Sequence, residues 1–161
     1  MERHRDAFFG LLGEHFSGGD TLRLRVARES MRPFLRPGDW IVAGRAVEGS
    51  LWIGDLVLFA RGSDLVVHRY LGRVRRGGRV LLQTKGDGRF FFDSPWPASM
   101  LVGRVLAVHR GKRLLRLRGR PWRTFNYVIG VLSILEGFFF RAVRSRRGKG
   151  ACDECSVAYD R

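Results

Sequence analysis

Ser30, His68 and two aspartates, Asp87 and Asp93, are the side chains of this sequence suited to acyl transfer. Acyl transfer to water needs a nucleophile, a base that takes the nucleophile's proton, and donors for the oxyanion that develops. Ser30 offers a hydroxyl within Glu29-Ser30-Met31-Arg32-Pro33, and Pro33 and Pro37 stiffen the chain just after it. His68 offers an imidazole, the side-chain type suited to act as the base. It ends the apolar run Leu65-Val66-Val67, where a buried histidine needs a partner. A carboxylate on its second nitrogen would fix the tautomer and steady the imidazolium. Asp87, in the turn Lys85-Gly86-Asp87, and Asp93, six residues later, compete for that position.

Each residue alone has an ordinary explanation as a loop serine, a core histidine or a turn aspartate. Their order and surroundings carry more. Ser-Met-x-Pro is followed by Pro37-Gly38-Asp39, then Gly54-Asp55-Leu56-Val57-Leu58-Phe59, Val67-His68-Arg69, Lys85-Gly86-Asp87 and Val102-Gly103-Arg104-Val105. This series, from Glu29 to Val108 and about half the chain, resembles the signal peptidase I and LexA-type serine peptidases. A histidine at 68 places the resemblance with the Ser-His-Asp branch of endoplasmic-reticulum and archaeal signal peptidases. The resemblance implies a serine endopeptidase that hydrolyses a precursor protein or leader peptide, with Ser30, His68 and Asp93 catalytic and Asp87 supporting. It also implies a preference for small residues before the scissile bond. That chemistry needs no metal or organic cofactor.

The sequence departs from the family pattern at two places. Arg28 and Glu29 stand where small residues commonly precede the nucleophile, which leaves the second oxyanion donor open. The transmembrane anchor that commonly precedes the serine is replaced by a short apolar run. Lys85, 55 residues beyond Ser30, is the sole lysine before Lys112; a Ser-Lys dyad is disfavoured because the LexA-type lysine falls near position 68.

The elements needed to position these residues are mainly β. Phe8, Leu11, Leu12 and Phe16 repeat at helical spacing before Ser17-Gly18-Gly19, predicting an amphipathic helix over 5–16 within an N-terminal unit of 1–20. From 21 to 118, alternating or apolar runs begin at Thr21, Trp40, Asp55, Leu65, Val80, Leu101 and Arg113, separated by glycine-rich turns. This texture predicts a β-rich domain, and the resemblance specifies a coiled β-barrel or sandwich of the signal-peptidase type. Residues 119–147 form a basic, apolar, helical region, and 148–161 a tail.

The chain has 161 residues, 45% of them apolar, and a formal net charge of +15. Between Arg104 and Lys149 thirteen Lys/Arg face the single acid Glu136, so +12 resides there. Region 104–149 therefore predicts an anionic partner, foremost a membrane surface. The apolar stretch 125–140 would be about 24 Å long as a helix, short of the ~30 Å hydrocarbon core, and Glu136 opposes crossing. Packing on the β domain, lying in plane on anionic lipid, and spanning are the three readings, with in-plane binding favoured over spanning. The protein is expected to be membrane-associated, peripheral or weakly anchored, and otherwise cytoplasmic. No cleavable signal sequence is visible. All catalytic candidates precede Gly119, so a truncation there is expected to leave them intact.

Cys152 and Cys155 make one CxxC, half a tetrahedral zinc site at most, and neither a metal site nor a disulfide scaffold is read from them. A single N-terminal helix cannot supply a helix-turn-helix domain, so nucleic acid is a disfavoured partner. The alternatives to an enzyme are a catalytically inactive relative that binds peptides and a nucleic-acid-binding regulator.

Overall fold

The computed structural model describes residues 21–62, 64–117 and 119–147, with the backbone alone for 144–147. The helix expected over 5–16 and the tail with Cys152 and Cys155 lie outside the described residues.

Among the described residues seven strands follow one another: β1 (Thr21–Arg25), β2 (Trp40–Arg45), β3 (Leu56–Arg61), β4 (Asp64–Arg76), β5 (Arg79–Lys85), β6 (Leu101–Arg110) and β7 (Arg113–Arg116). They join a single antiparallel sheet in the order β1-β2-β6-β3-β4-β5, with β7 also paired to β6. The fold is mainly β, as the alternating runs predict. β3 is central, and its first five residues are buried, which is why Leu56-Val57-Leu58-Phe59-Ala60 reads as continuous apolar sequence rather than as an alternation.

β4 is the element on which the site depends. Its first half, Asp64 to Arg69, pairs with β3, and its second half, from Arg69, pairs with β5. The register shifts between Tyr70 and Gly72 at that handover. A strand bends most where an extra residue enters the ladder. His68 and Arg69 lie just before this shift, and both are buried.

One helix, α1 (Arg120–Arg147), follows the sheet. It has 28 residues, longer than the apolar stretch that announces it, because the Trp122 turn and the Arg141 turn are also helical. By length and composition its Arg120–Val143 portion is apolar enough to cross a membrane or to anchor at one. At 1.5 Å per residue, its 24 residues reach about 36 Å, so the shortfall computed for 125–140 does not hold for the helix as formed.

The helix is inverted relative to an ordinary amphipathic one. Asn126, Gly130, Ser133 and Gly137, at helical spacing, are its buried positions. Val128, Leu132, Leu135 and Phe139 project from the opposite side and are 49–64% exposed. On the docked side Gly54, at φ +96°, lies so close that a Cβ there would fall 2.0 Å from the Asn126 carbonyl oxygen. A Cβ on Gly130 would lie 3.0 Å from the Gly54 backbone. Only glycine at both positions admits this approach. Contacts run from Trp122 against Phe34 to Phe140 against Phe90, so the helix is docked along most of its length. It packs on the sheet and on the loops beside it rather than standing apart from them.

Candidate active site

The nucleophile candidate is held by its neighbours. Met31 and Leu35, on the turn after Ser30, are almost fully buried and pack with Ile41, Leu56, Val105 and Val108. That plug pins the backbone at Ser30 while its own side chain stays half-buried. The opposing turn, 86–89, closes against it. Gly88 N–H donates to the Ser30 carbonyl at 2.9 Å. A Cβ on Gly86 would stand 2.5 Å from that same oxygen and 3.1 Å from His68 Nε2, so no side chain fits there.

His68 Nε2 lies 3.0 Å from Ser30 Oγ, and His68 Nδ1 lies 2.6 Å from Asp93 Oδ2. A carboxylate can only accept, so Nδ1–H is committed to Asp93, leaving Nε2 to accept the Ser30 O–H. The ring is buried, edge-on to Phe59, which itself stacks on Trp96 at 4.4 Å. Asp93 is oriented in turn. Thr84 O–H donates to Asp93 Oδ2 at 2.8 Å, and Trp96 Nε1–H donates to Thr84 Oγ1 at 3.0 Å. The Asp93 backbone is tied to Thr84 and Gln83 as well. A chain of donors, Trp96 to Thr84 to Asp93, thus fixes the carboxylate that fixes the imidazole.

Of the two competing aspartates, Asp93 meets His68 and Asp87 does not. Asp87 accepts a bidentate pair from Arg69 Nε at 2.7 Å and Nη2 at 2.6 Å. Arg69 is fully buried; its Nη1 donates to the Gly54 carbonyl at 2.8 Å and to Asn126 Oδ1 at 3.2 Å. Asp87 thereby anchors the 86–89 turn to β4 and to α1. Lys85 points elsewhere: it is fully buried and its Nζ donates to Glu136 Oε2 at 2.6 Å, across to the helix. Glu136, which the sequence reads as an interruption of the apolar stretch, is the counter-ion of Lys85. Phe92 packs on Phe138, and a Cβ on Gly137 would strike the Phe92 ring. The segment 85–93 therefore rests on α1 through the Lys85–Glu136 ion pair and two aromatic contacts, Phe92–Phe138 and Phe90–Phe140, with Arg69 linking Asp87 to Asn126.

The Pro37-Gly38-Asp39 turn is fixed separately. Arg110 donates from Nε and Nη2 to the Asp39 carboxylate, the shortest contact being 2.6 Å, and from Nη2 to the Phe34 carbonyl at 2.7 Å. The Arg110 hydrogen bonds hold the Asp39 carboxyl below its ordinary range against the opposing effect of its burial.

Ser30 borders a hollow of about 310 Å³ between the end of β1 and the start of β4, lined mainly by apolar side chains with Arg25, Arg28 and Asp64 among them. Among the described residues, no cluster of three His, Cys, Asp or Glu is placed to hold a metal ion. Sequence reasoning named Ser30, His68, Asp93 and Asp87; it missed Arg69, Thr84, Trp96 and Asn126. Arg69 adjoins the histidine, and its place between two buried-strand residues was the available signal. No family model matches this sequence, and no curated protein matches it.

Proposed function

We propose that the protein is a signal-peptidase-like serine endopeptidase that cleaves a precursor protein or leader peptide through an acyl-enzyme on Ser30. The observation that carries this reading is the position of His68, with Ser30 Oγ at 3.0 Å on one ring nitrogen and Asp93 at 2.6 Å on the other. His68 takes the Ser30 proton as Oγ attacks the scissile carbonyl carbon. The tetrahedral oxyanion collapses, the C–N bond breaks, and the imidazolium gives its proton to the departing amine. Water, deprotonated by the same nitrogen, then cleaves the ester and returns the proton to Ser30. Among the described residues the Ser30 backbone N–H has no acceptor, which leaves it free to donate to the oxyanion. A lysine base is disfavoured because Lys85 is already paired with Glu136.

The same reading places the enzyme on an anionic membrane. Val128, Leu132, Leu135 and Phe139 form an exposed apolar stripe, and Arg120, Arg123 and Arg141 lie at the ends of the apolar stretch. Docking of the opposite face along most of the helix favours an in-plane over a spanning orientation. Digestion of a mixed peptide library, with products read by mass spectrometry, tests the enzymatic part. Wild type should generate cleavage products and Ser30→Ala none; equal products from both would overturn the assignment.

A further inference from the structure

A second hollow of about 390 Å³ also borders Ser30, and its chemistry is unlike that of the first. Its side chains are Arg28, Arg32 and Arg89 with the one carboxylate Glu29. The two hollows share Ser30 and Arg28 and no other lining residue. The first is walled by Leu24, Met31, Leu35, Ile41, Leu58 and Leu65 among others. A peptide passing over Ser30 therefore moves from an apolar hollow to a basic one.

The cations of the second hollow are available to a ligand. Glu29 pairs with Arg32 at 3.0 Å and Asp64 with Arg28 at 2.8 Å, but all four side chains are more than half exposed. Such exposed pairs are weak and exchange readily for another carboxylate. Arg89 forms no ion pair with a described residue. Its backbone is held by the turn. Its backbone N–H donates to Gly86 O at 3.0 Å, and its Cγ would lie 3.1 Å from a Cβ on Gly86, the residue that abuts Ser30 and His68. An arginine so placed presents a planar fork suited to a carboxylate.

We infer that the site selects peptides with an apolar side chain on one side of the scissile bond and an acidic side chain on the other. Arg89 is the chief specificity residue, with Arg28 and Arg32 beside it. The inference rests on the peptidase reading for the word scissile, but the pair of hollows is a binding property that survives without catalysis.

The test uses C-terminally amidated peptides, so that only side-chain carboxylates count. Each carries one valine or leucine and, one to four residues away, Glu, Gln or Lys. Cleavage is followed with wild type, and binding is followed by fluorescence polarisation with Ser30→Ala. The Glu peptides should be used and bound about tenfold better than the Lys peptides, since like-charge contacts exclude wrong partners. Arg89→Glu should abolish or reverse that order. Arg79→Glu, the same charge change on exposed β5, should retain it, which separates the hollow from the general +15. Binding that prefers Glu and loses the preference in Arg89→Glu, without cleavage by wild type, would keep the inference and remove the peptidase reading. Equal use or binding of Glu, Gln and Lys, a preference unchanged in Arg89→Glu, or no binding of any peptide would overturn it.

Discussion

Asp87 and Asp93 show how two identical side chains six residues apart acquire different work. Asp93 accepts from His68, whereas Asp87 neutralises a fully buried arginine. Asp93→Asn should therefore lose about 10⁴ in kcat with little change in Tm, because the imidazole is left in the wrong tautomer. Asp87→Asn should behave in the reverse sense. Leaving Arg69 buried and unpaired costs about 3–5 kcal/mol, which a thermal melt would register before an activity assay did. Equal Tm losses for the two variants would contradict the assignment. Ser30→Ala and His68→Ala should each cost several orders of magnitude, and the double variant no more than either. Gly86→Ala should also be severe, because its Cβ would press on the Ser30 carbonyl from 2.5 Å. Ser30, His68 and Asp93, which the structure brings together, were legible in the sequence as a set because the segments around them are local patterns. Thr84, Trp96 and Asn126 were not, since a buried polar side chain takes its partner from strand register and helix docking. Neither is written in a neighbouring residue.

At the level of elements, strand positions were readable from alternation and turns, but the orientation of α1 was not. A helical stripe in a sequence gives the face, not what covers it, and an apolar face is ordinarily taken as the buried one. Here glycine, asparagine and serine are inside, tied to Gly54, Arg69 and the 85–93 segment. Truncation after Gly119 should consequently lower Tm and activity together, rather than leave the Ser30, His68 and Asp93 arrangement intact. It strips buried Lys85 of its carboxylate partner Glu136, and Arg69 of Asn126, one of its acceptors, while Asp87 and the Gly54 carbonyl stay with Arg69. Melting of the truncated chain at the full-length temperature would contradict that docking. Lys85→Met should be far milder in cleavage assays, since Glu136 is 40% exposed and can be hydrated alone. The Asp39–Arg110 tie adds a pH dependence. The folded pKa of Asp39 lies below its unfolded value, so its contribution is full above the unfolded pKa and fades as pH falls through the folded one. Urea melts of wild type and Asp39→Asn should differ clearly at pH 7 and converge towards pH 2; a constant difference would refute the linkage.

Across the whole molecule, the sheet, the helix and the charge distribution point the same way. The site opens beside the β1 and β4 ends, while α1 turns an apolar stripe outward and carries arginines near both of its ends. Each basic residue near an anionic leaflet contributes about 1 kcal/mol, screened by salt, and the apolar stripe adds a part that salt does not remove. Leu132→Glu with Leu135→Glu should abolish sedimentation with anionic vesicles while leaving Tm nearly unchanged, because neither side chain packs in the core. A parallel loss of Tm would show that the stripe is covered by the chain itself. The proposed activity requires Ser30 to be an activated nucleophile. The most direct measurement is the intact mass of the protein after exposure to a fluorophosphonate. Wild type should gain one adduct, located at Ser30 by peptide mapping, and Ser30→Ala and His68→Ala should gain none. An unmodified wild type, or an adduct that persists in Ser30→Ala, would contradict it.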